Sequence, residues 1–456
     1  MRIVVIGGGL AGLAAAIRLQ EQRHDVVLLE RRGVLGGRAT SARDTTTGDV
    51  VDNGMHVMLG AYDATLDLVR RAGAEDLLLR QDSLSIDYVD ARGHTRLACP
   101  PLIAPLHLLV GLSRLRLPLS ARWQALRFGV ALGWGRRPRG VTLAEYLARH
   151  GQGPVVRGLL WDPLATAILN VAPETGDAGL FVECLRRAFF RRAASSAMVF
   201  LRAGFGDLAE RLGRYLESRG GQVRRRACAA AIDVRDGRVA AVRCRQRPLG
   251  QEEIESGVRA HDESIVADAV VCAVPWNRVT TLVPDPWRAA PPFVELGQLG
   301  ASPIVSVDLW LDRTVVDGVM VGLRECEMEW VFDKGALHGR QGAPQYLSFI
   351  LSAAERGVAR TNTELVAMAE AALRRFYPRM RAARVVRSLV RREPEATFSC
   401  VPAHEALRPG PVTPIAGLYL AGDWTNTGLP ATIEGAVASG YAAARALAAR
   451  PARVDR

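Results

Sequence analysis

An apolar strand from Arg2 to Ile6 runs straight into Gly7-Gly8-Gly9-Leu10-Ala11-Gly12 and then into an alanine-rich helix. That order commits the start of the chain to a Rossmann-like βαβ unit that takes a dinucleotide. Gly7 allows the tight turn, Gly9 lets the backbone approach a pyrophosphate, and Gly12 lets helix and strand pack closely. The helix opens at Leu10 and Ala11, where unpaired N–H groups face the phosphate charge. Leu13 to Arg23 continues the helix, Asp25 to Leu29 reads as the second strand, and Glu30 stands 18 residues after Gly12, placed to accept from a ribose diol. Arg31 and Arg32 follow that acid, as they would beside a 2′-phosphate, but Gly33 to Ala39 reads GVLGGRA and points elsewhere.

Glu30 followed by Gly36-Gly37-Arg38 resembles the two-part N-terminal signature of the FAD-binding amine oxidase and carotenoid desaturase superfamily. The resemblance implies FAD, with Gly36, Gly37 and Arg38 along its diphosphate and Arg31 beside the ribose acid. It also implies an α/β fold: a Rossmann-like FAD-binding domain of glutathione-reductase type, with an inserted α+β substrate-binding domain. On this reading 1–80, 203–290 and 410–456 form the FAD-binding domain, and 81–202 and 291–409 the substrate-binding domain. Gly36-Gly37 alone would read as a turn and Arg38 as a solvated charge.

The chain of 456 residues has a formal charge of +12, carried almost wholly by arginine, since Lys334 is its only lysine. A basic surface attracts anionic lipid or nucleic acid. No zinc-finger spacing, RNP-type aromatic strand or basic recognition helix favours nucleic acid, so membrane contact is the expectation. Seven scattered cysteines, with no CxxC, form neither a metal cluster nor a disulfide framework, and no metal site is expected. The first strand begins almost at residue 1, which reads as a cytoplasmic protein held at the inner face of the cytoplasmic membrane.

Val50 to Tyr62 reads VVDNGMHVMLGAY. In the superfamily this region lies beside the flavin ring, which makes Gly54 and Met55 cofactor candidates and His56 a catalytic one. Between Leu97 and Trp134 an apolar series is broken by Arg114, Arg116, Arg122 and Arg127; no run is long enough to span a bilayer, and 101–134 suits a segment lying in the headgroup region or a cap helix packed on the core. Arg247 to Ser264 is polar and uneven and reads as a hairpin extension or mobile loop. Ser302 to Asp312 alternates as a strand, and Trp330 and Phe332 share one face of another, with Glu329 and Val331 on the opposite face. Near the C-terminus, GLYLAGDWTNTGLPATIEGAVASGY spans Gly417 to Tyr441. The resemblance implies that the strand ends at Gly422, that Asp423 bonds the ribityl or diphosphate region, and that the helix start near Thr432, Ile433 and Ala436 faces the flavin pyrimidine edge. Glu434 reads as a charge partner of a helix N-terminus.

NGMHVMLGAY, WDPLATAILNVAP, LWLDRTV with EWVFDKG, and AGDWTNTGLPATIEGAVASG together resemble the hydroxysqualene dehydroxylase family of bacterial hopanoid pathways. Departures fall at Glu329 and Met55, where glutamine is expected, and at Ala438, where arginine is expected. The family implies reductive dehydroxylation of hydroxysqualene to squalene: an allylic hydroxyl leaves as water and hydride from reduced flavin N5 quenches the cation. Such a reaction needs a proton donor beside a dry apolar site, and His56, then Glu329, are the candidates, although Glu329 would also suit a surface strand position or half of an ion pair with Lys334. A carotenoid-type desaturase, a flavin amine oxidase and a non-catalytic prenyl-lipid escort are the alternatives. The amine oxidase is weakest, because that group places a lysine near flavin N5 and Lys334 is far in sequence from Ser302-Pro303.

Overall fold

The computed structural model describes residues 1–248, 259–340 and 342–449. Two sheets organise them. The first is parallel and five-stranded, in the order Gln222–Arg225, Asp25–Glu30, Arg2–Ile6, Ala269–Cys272 and Leu418–Leu420. Its strands read as near-continuous Val, Ile and Leu because both faces are covered. The Leu10–Glu21 and Ile433–Ala448 helices pack on one face, so close that a Cβ on Gly440 would lie 2.2 Å from the Ala11 carbonyl oxygen. A three-stranded antiparallel sheet, Ala227–Arg235, Arg238–Gln246 and His261–Val266, adjoins it through the Arg238–Ala416 bridge. Of the hairpin extension or mobile loop expected over 247–264, His261 to Ser264 belong to a strand paired antiparallel with Arg238–Gln246, as in a hairpin extension; 249–258 of that segment, like 450–456 of the C-terminal part, lie outside the described residues.

The second sheet has seven strands: Val385–Phe398, Ala301–Leu311, Gln345–Leu351, Trp330–Asp333, Met320–Leu323, Ser85–Asp90 and Gly93–Ala98. All neighbours are antiparallel except Met320–Leu323 beside Ser85–Asp90. Residues before 100 and after 300 thus share one hydrogen-bonded layer. Alternation gives its two faces different neighbours. Val305, Val307, Val331 and Phe349 pack on the Asn362–Phe376 helix, whereas Trp330, Phe332 and Ile350 join the large apolar cluster that reaches the helices of 106–189.

Apolar residues recur at helical spacing in those helices, and two carry side-chain caps: Thr142 and Glu145 make a reciprocal capping box, and Asp177 accepts from the Leu180 N–H. The 101–134 segment folds as two helices, Leu106–Arg114 and Leu119–Trp134. No described helix is long and apolar enough to cross a membrane.

Candidate active site

The site begins at the glycine loop. Gly7 has φ +109°, and a Cβ there would lie 2.7 Å from the Ala273 carbonyl oxygen, so only glycine makes the turn. A Cβ on Gly12 would sit 1.9 Å from the Gly7 carbonyl oxygen. Gly37 has φ +63° and its Cβ would lie 3.1 Å from the Gly9 Cα, so the two glycine motifs touch, and Gly9 and Gly36 form a parallel bridge. Leu10 and Ala11 are the first residues of the helix, and no side chain caps its N–H groups. Glu30 is buried; its Oε2 accepts from the Gly8 N–H at 2.8 Å and its Oε1 from the Arg32 N–H at 2.7 Å. A carboxylate has about four acceptor positions, so capacity for a diol remains. Arg31 is exposed beside it.

The two ends of the chain meet at Arg38, whose guanidinium bonds the Asp423 carboxylate and donates to the Ala396 carbonyl at 2.8 Å. The resemblance places Arg38 along the diphosphate and Asp423 at the ribityl or diphosphate region; the structure pairs them. Gly422 is indispensable here, since a Cβ would lie 2.2 Å from the Trp424 indole nitrogen, which itself donates to the Val274 carbonyl. The following loop is held by Arg408, fully buried, which donates to the carbonyls of Asp423, Trp424 and Thr425 and pairs with Glu405. Thr432 caps the next helix by accepting from Gly435 N–H at 3.0 Å, and Ile433 and Ala436 lie in its first turn. Glu434 serves a different helix from its own: it accepts from the Ala64 and Thr65 N–H groups and the Thr65 hydroxyl at the N-terminus of Asp63–Arg71.

Between these half-sites runs 52–56. Asp52 is buried and is bonded from three directions: by the Ser41 hydroxyl, by the Phe205 N–H at 3.0 Å, and by the ammonium of Lys334. Burial alone would raise the Asp52 pKa, but Lys334, Ser41 and Phe205 outweigh it and hold the carboxylate below its ordinary range. Lys334 also lies 3.7 Å from the Met55 sulfur. The expected Glu329–Lys334 pair is therefore not formed: the strand Trp330–Asp333 carries Lys334 to one end and leaves Glu329 at the other. Nor is Lys334 remote from the site. Sequence distance hid this, because Lys334 follows the strand that pairs with Gln345–Leu351 rather than Ala301–Leu311.

Of the two donor candidates, His56 sits within this segment and Glu329 does not. The His56 ring lies 5.0 Å from that of Phe205, and its Nδ1 is buried without a protein partner. Its pKa is lowered, chiefly by burial, with Asp52 opposing and Lys334 assisting, so at neutral pH the imidazole is neutral. Glu329 precedes the strand; burial raises its pKa to about 7, with Ser352 pulling the other way. A second buried acid, Asp308, pairs with Arg391 at 2.8 Å.

Sequence reading missed Asp52, Arg408 and Asn170. Asn170, in the left-handed conformation at the end of the Asp162–Leu169 helix, donates to the Ser302 carbonyl and Thr397 hydroxyl and accepts from the Ala353 N–H, locking the helices onto the sheet. An Asn after a helix is a readable signal for its φ of +54°, but not for its partners.

The glycine cradle, the uncapped helix start, the ribose acid and the Arg38–Asp423 pair fit a flavin dinucleotide. The sequence matches the family described as flavin-containing amine oxidoreductase over residues 10–448. The chain belongs to that family and is an FAD-dependent oxidoreductase. It is 31% identical to the hydroxysqualene dehydroxylase of Rhodopseudomonas palustris over 96% of both chains. It is also 26% identical to the 15-cis-phytoene desaturase of Synechococcus elongatus, over 100% of this chain and 98% of that one. In fold it is similar to an oxidoreductase from Methanosarcina mazei, with a TM-score of 0.73 at 17% identity, over 97% of this chain and 99% of the other.

Proposed function

We propose that the protein reductively removes the allylic hydroxyl of hydroxysqualene, or of a related long isoprenoid alcohol, to give squalene or its counterpart. The observation that carries this reading is the 31% identity with a hydroxysqualene dehydroxylase, end to end in both chains. Apolar packing supports it: Trp330, Phe332 and Ile350 on the sheet, and the partly buried Met55, Val57, Leu160 and Ile168, belong to one apolar cluster.

Gly7, Gly9, Gly12, Glu30, Gly36, Gly37, Arg38, Gly54, Asp423 and the helix start at Thr432–Ile433 would hold FAD. Bound FAD supplies hydride transfer. The chain's own residues do the rest. On this reading the partly buried apolar residues of that cluster, Met55 and Val57 among them, would meet the hydrocarbon and exclude water, without which an allylic cation would be recaptured as alcohol. His56, neutral, would pass its N–H proton to the leaving oxygen, so that the hydroxyl departs as water, and would take a proton back from solvent. The Lys334–Asp52 pair fixes the backbone on which His56 stands.

The desaturase reading is favoured by the phytoene desaturase match at 26% identity across the whole chain. It reverses the electron flow: a polyene would be oxidised rather than an alcohol reduced. Lipid analysis after incubation with reduced and with oxidised enzyme separates the two.

A further inference from the structure

The helix Leu119–Trp134 is apolar on two sides at once. Ala121, Ala125, Phe128 and Leu132 are buried against the body of the protein. Leu119, Trp123, Val130 and Trp134 return at helical spacing on the other side, 80%, 64%, 58% and 89% exposed, and Ile103 before the preceding helix is 76% exposed. A surface helix with one partner would be polar there, and a contiguous exposed apolar stripe marks an interaction site.

The charge around the stripe has one sign. Between Asp90 and Glu145 the sequence holds nine arginines and no acid. Arg96 and Arg137 are neutralised by Asp87 and Glu405 from elsewhere in the chain, but Arg114, Arg116 and Arg122 donate only to backbone carbonyls, which leaves their charge unopposed. Arg127 lies within the exposed stripe, and Arg136 and Arg139 follow its end.

We propose that this two-helix face docks the protein on an anionic lipid bilayer. The indoles and aliphatic side chains would seat among the headgroups and upper acyl chains while the guanidinium groups meet lipid phosphates. A second copy of the chain is the competing occupant, and it is disfavoured because a symmetric contact would set Arg114, Arg116 and Arg122, which no acid opposes, against their counterparts. The dock is shallow, since no described helix is long and apolar enough to cross. It stands on the surface alone and does not depend on which lipid is the substrate.

The test is vesicle flotation of the flavin-loaded full chain with phosphatidylcholine vesicles and with mixed phosphatidylcholine–phosphatidylglycerol vesicles. The wild type floats with the mixed vesicles, and its binding falls as salt is raised. Trp123→Ser/Trp134→Ser, which keeps its flavin because both positions face solvent, binds about tenfold more weakly or worse. In the wild type, brominated acyl chains quench tryptophan fluorescence, and the double variant loses that quenching. Equal flotation of variant and wild type, no flotation of the wild type, or binding indifferent to anionic lipid and to salt would each overturn the proposal. So would concentration-dependent dimerisation of the wild type that the double variant abolishes, since that outcome assigns the face to a second copy.

Discussion

Replacing Lys334 by methionine tests how the 52–56 segment is held. Lys334 is 3% exposed and its ammonium is bonded to an Asp52 carboxylate that is itself 4% exposed. Methionine removes the charge but keeps most of the side-chain volume, so the main effect is a buried carboxylate without its counter-ion. Breaking one side of a buried pair typically costs about 3–5 kcal/mol, and the lower end applies here because Ser41 and Phe205 still bond Asp52. The pH dependence has a definite sign. Because the folded pKa of Asp52 is depressed, its contribution is present above the ordinary carboxylate pKa and lost as pH falls through the folded value. Without Lys334 burial dominates and the pKa rises, so the deficit of Lys334→Met is largest near neutrality and shrinks toward acid. The assay is urea unfolding of the flavin-loaded protein across that range, with Lys334→Met/Asp52→Asn as the rescue. A loss at neutral pH below about 1 kcal/mol, or one that does not change with pH, would refute the reasoning.

Asp423→Ala removes the partner of Arg38 and an acceptor expected on the cofactor; flavin affinity should fall about 10- to 100-fold in equilibrium dialysis while the apoprotein stays folded, and full retention of flavin would argue against the C-terminal half of the site. Gly12→Ala forces a methyl against the Gly7 carbonyl, and the purified variant should carry little or no flavin absorbance. His56→Ala should retain flavin and slow turnover with hydroxysqualene by about 10²-fold, whereas an unchanged single-turnover rate would remove His56 from the chemistry. Glu329, with its pKa raised to about 7, contributes stability only while protonated, so it favours the fold below its unfolded pKa and loses that contribution as pH rises through about 7. Glu329→Gln should therefore stabilise the protein in mild alkali by about 1–3 kcal/mol in unfolding titrations, with no gain in acid.

The parts of this architecture that read directly from sequence are those where local sterics leave one solution. Gly7 and Gly12 could be assigned because turn and close packing admit no side chain, and the structure shows both contacts. The alternation through Trp330 to Phe332 was legible because burial on two faces imposes period two. The same logic failed where position depends on the pairing order of distant strands. Asp52 and Lys334 are 282 residues apart, and nothing local to either indicates the other. Arg408 resembles any arginine of a basic chain until the fold buries it beneath the Asp423 loop. The strand Val385–Phe398 could not be bounded from its composition, because its bulged register with Ala301–Leu311 lets charged residues persist along a partly exposed edge.

The direction and target of electron transfer are decided by an anaerobic single turnover. Enzyme with photoreduced flavin is mixed with hydroxysqualene, the flavin spectrum is followed, and the lipid is extracted. Flavin reoxidation matched mole for mole by squalene is the expected result. Flavin that stays reduced beside unchanged lipid, in a preparation whose oxidised form desaturates a polyene, would contradict it.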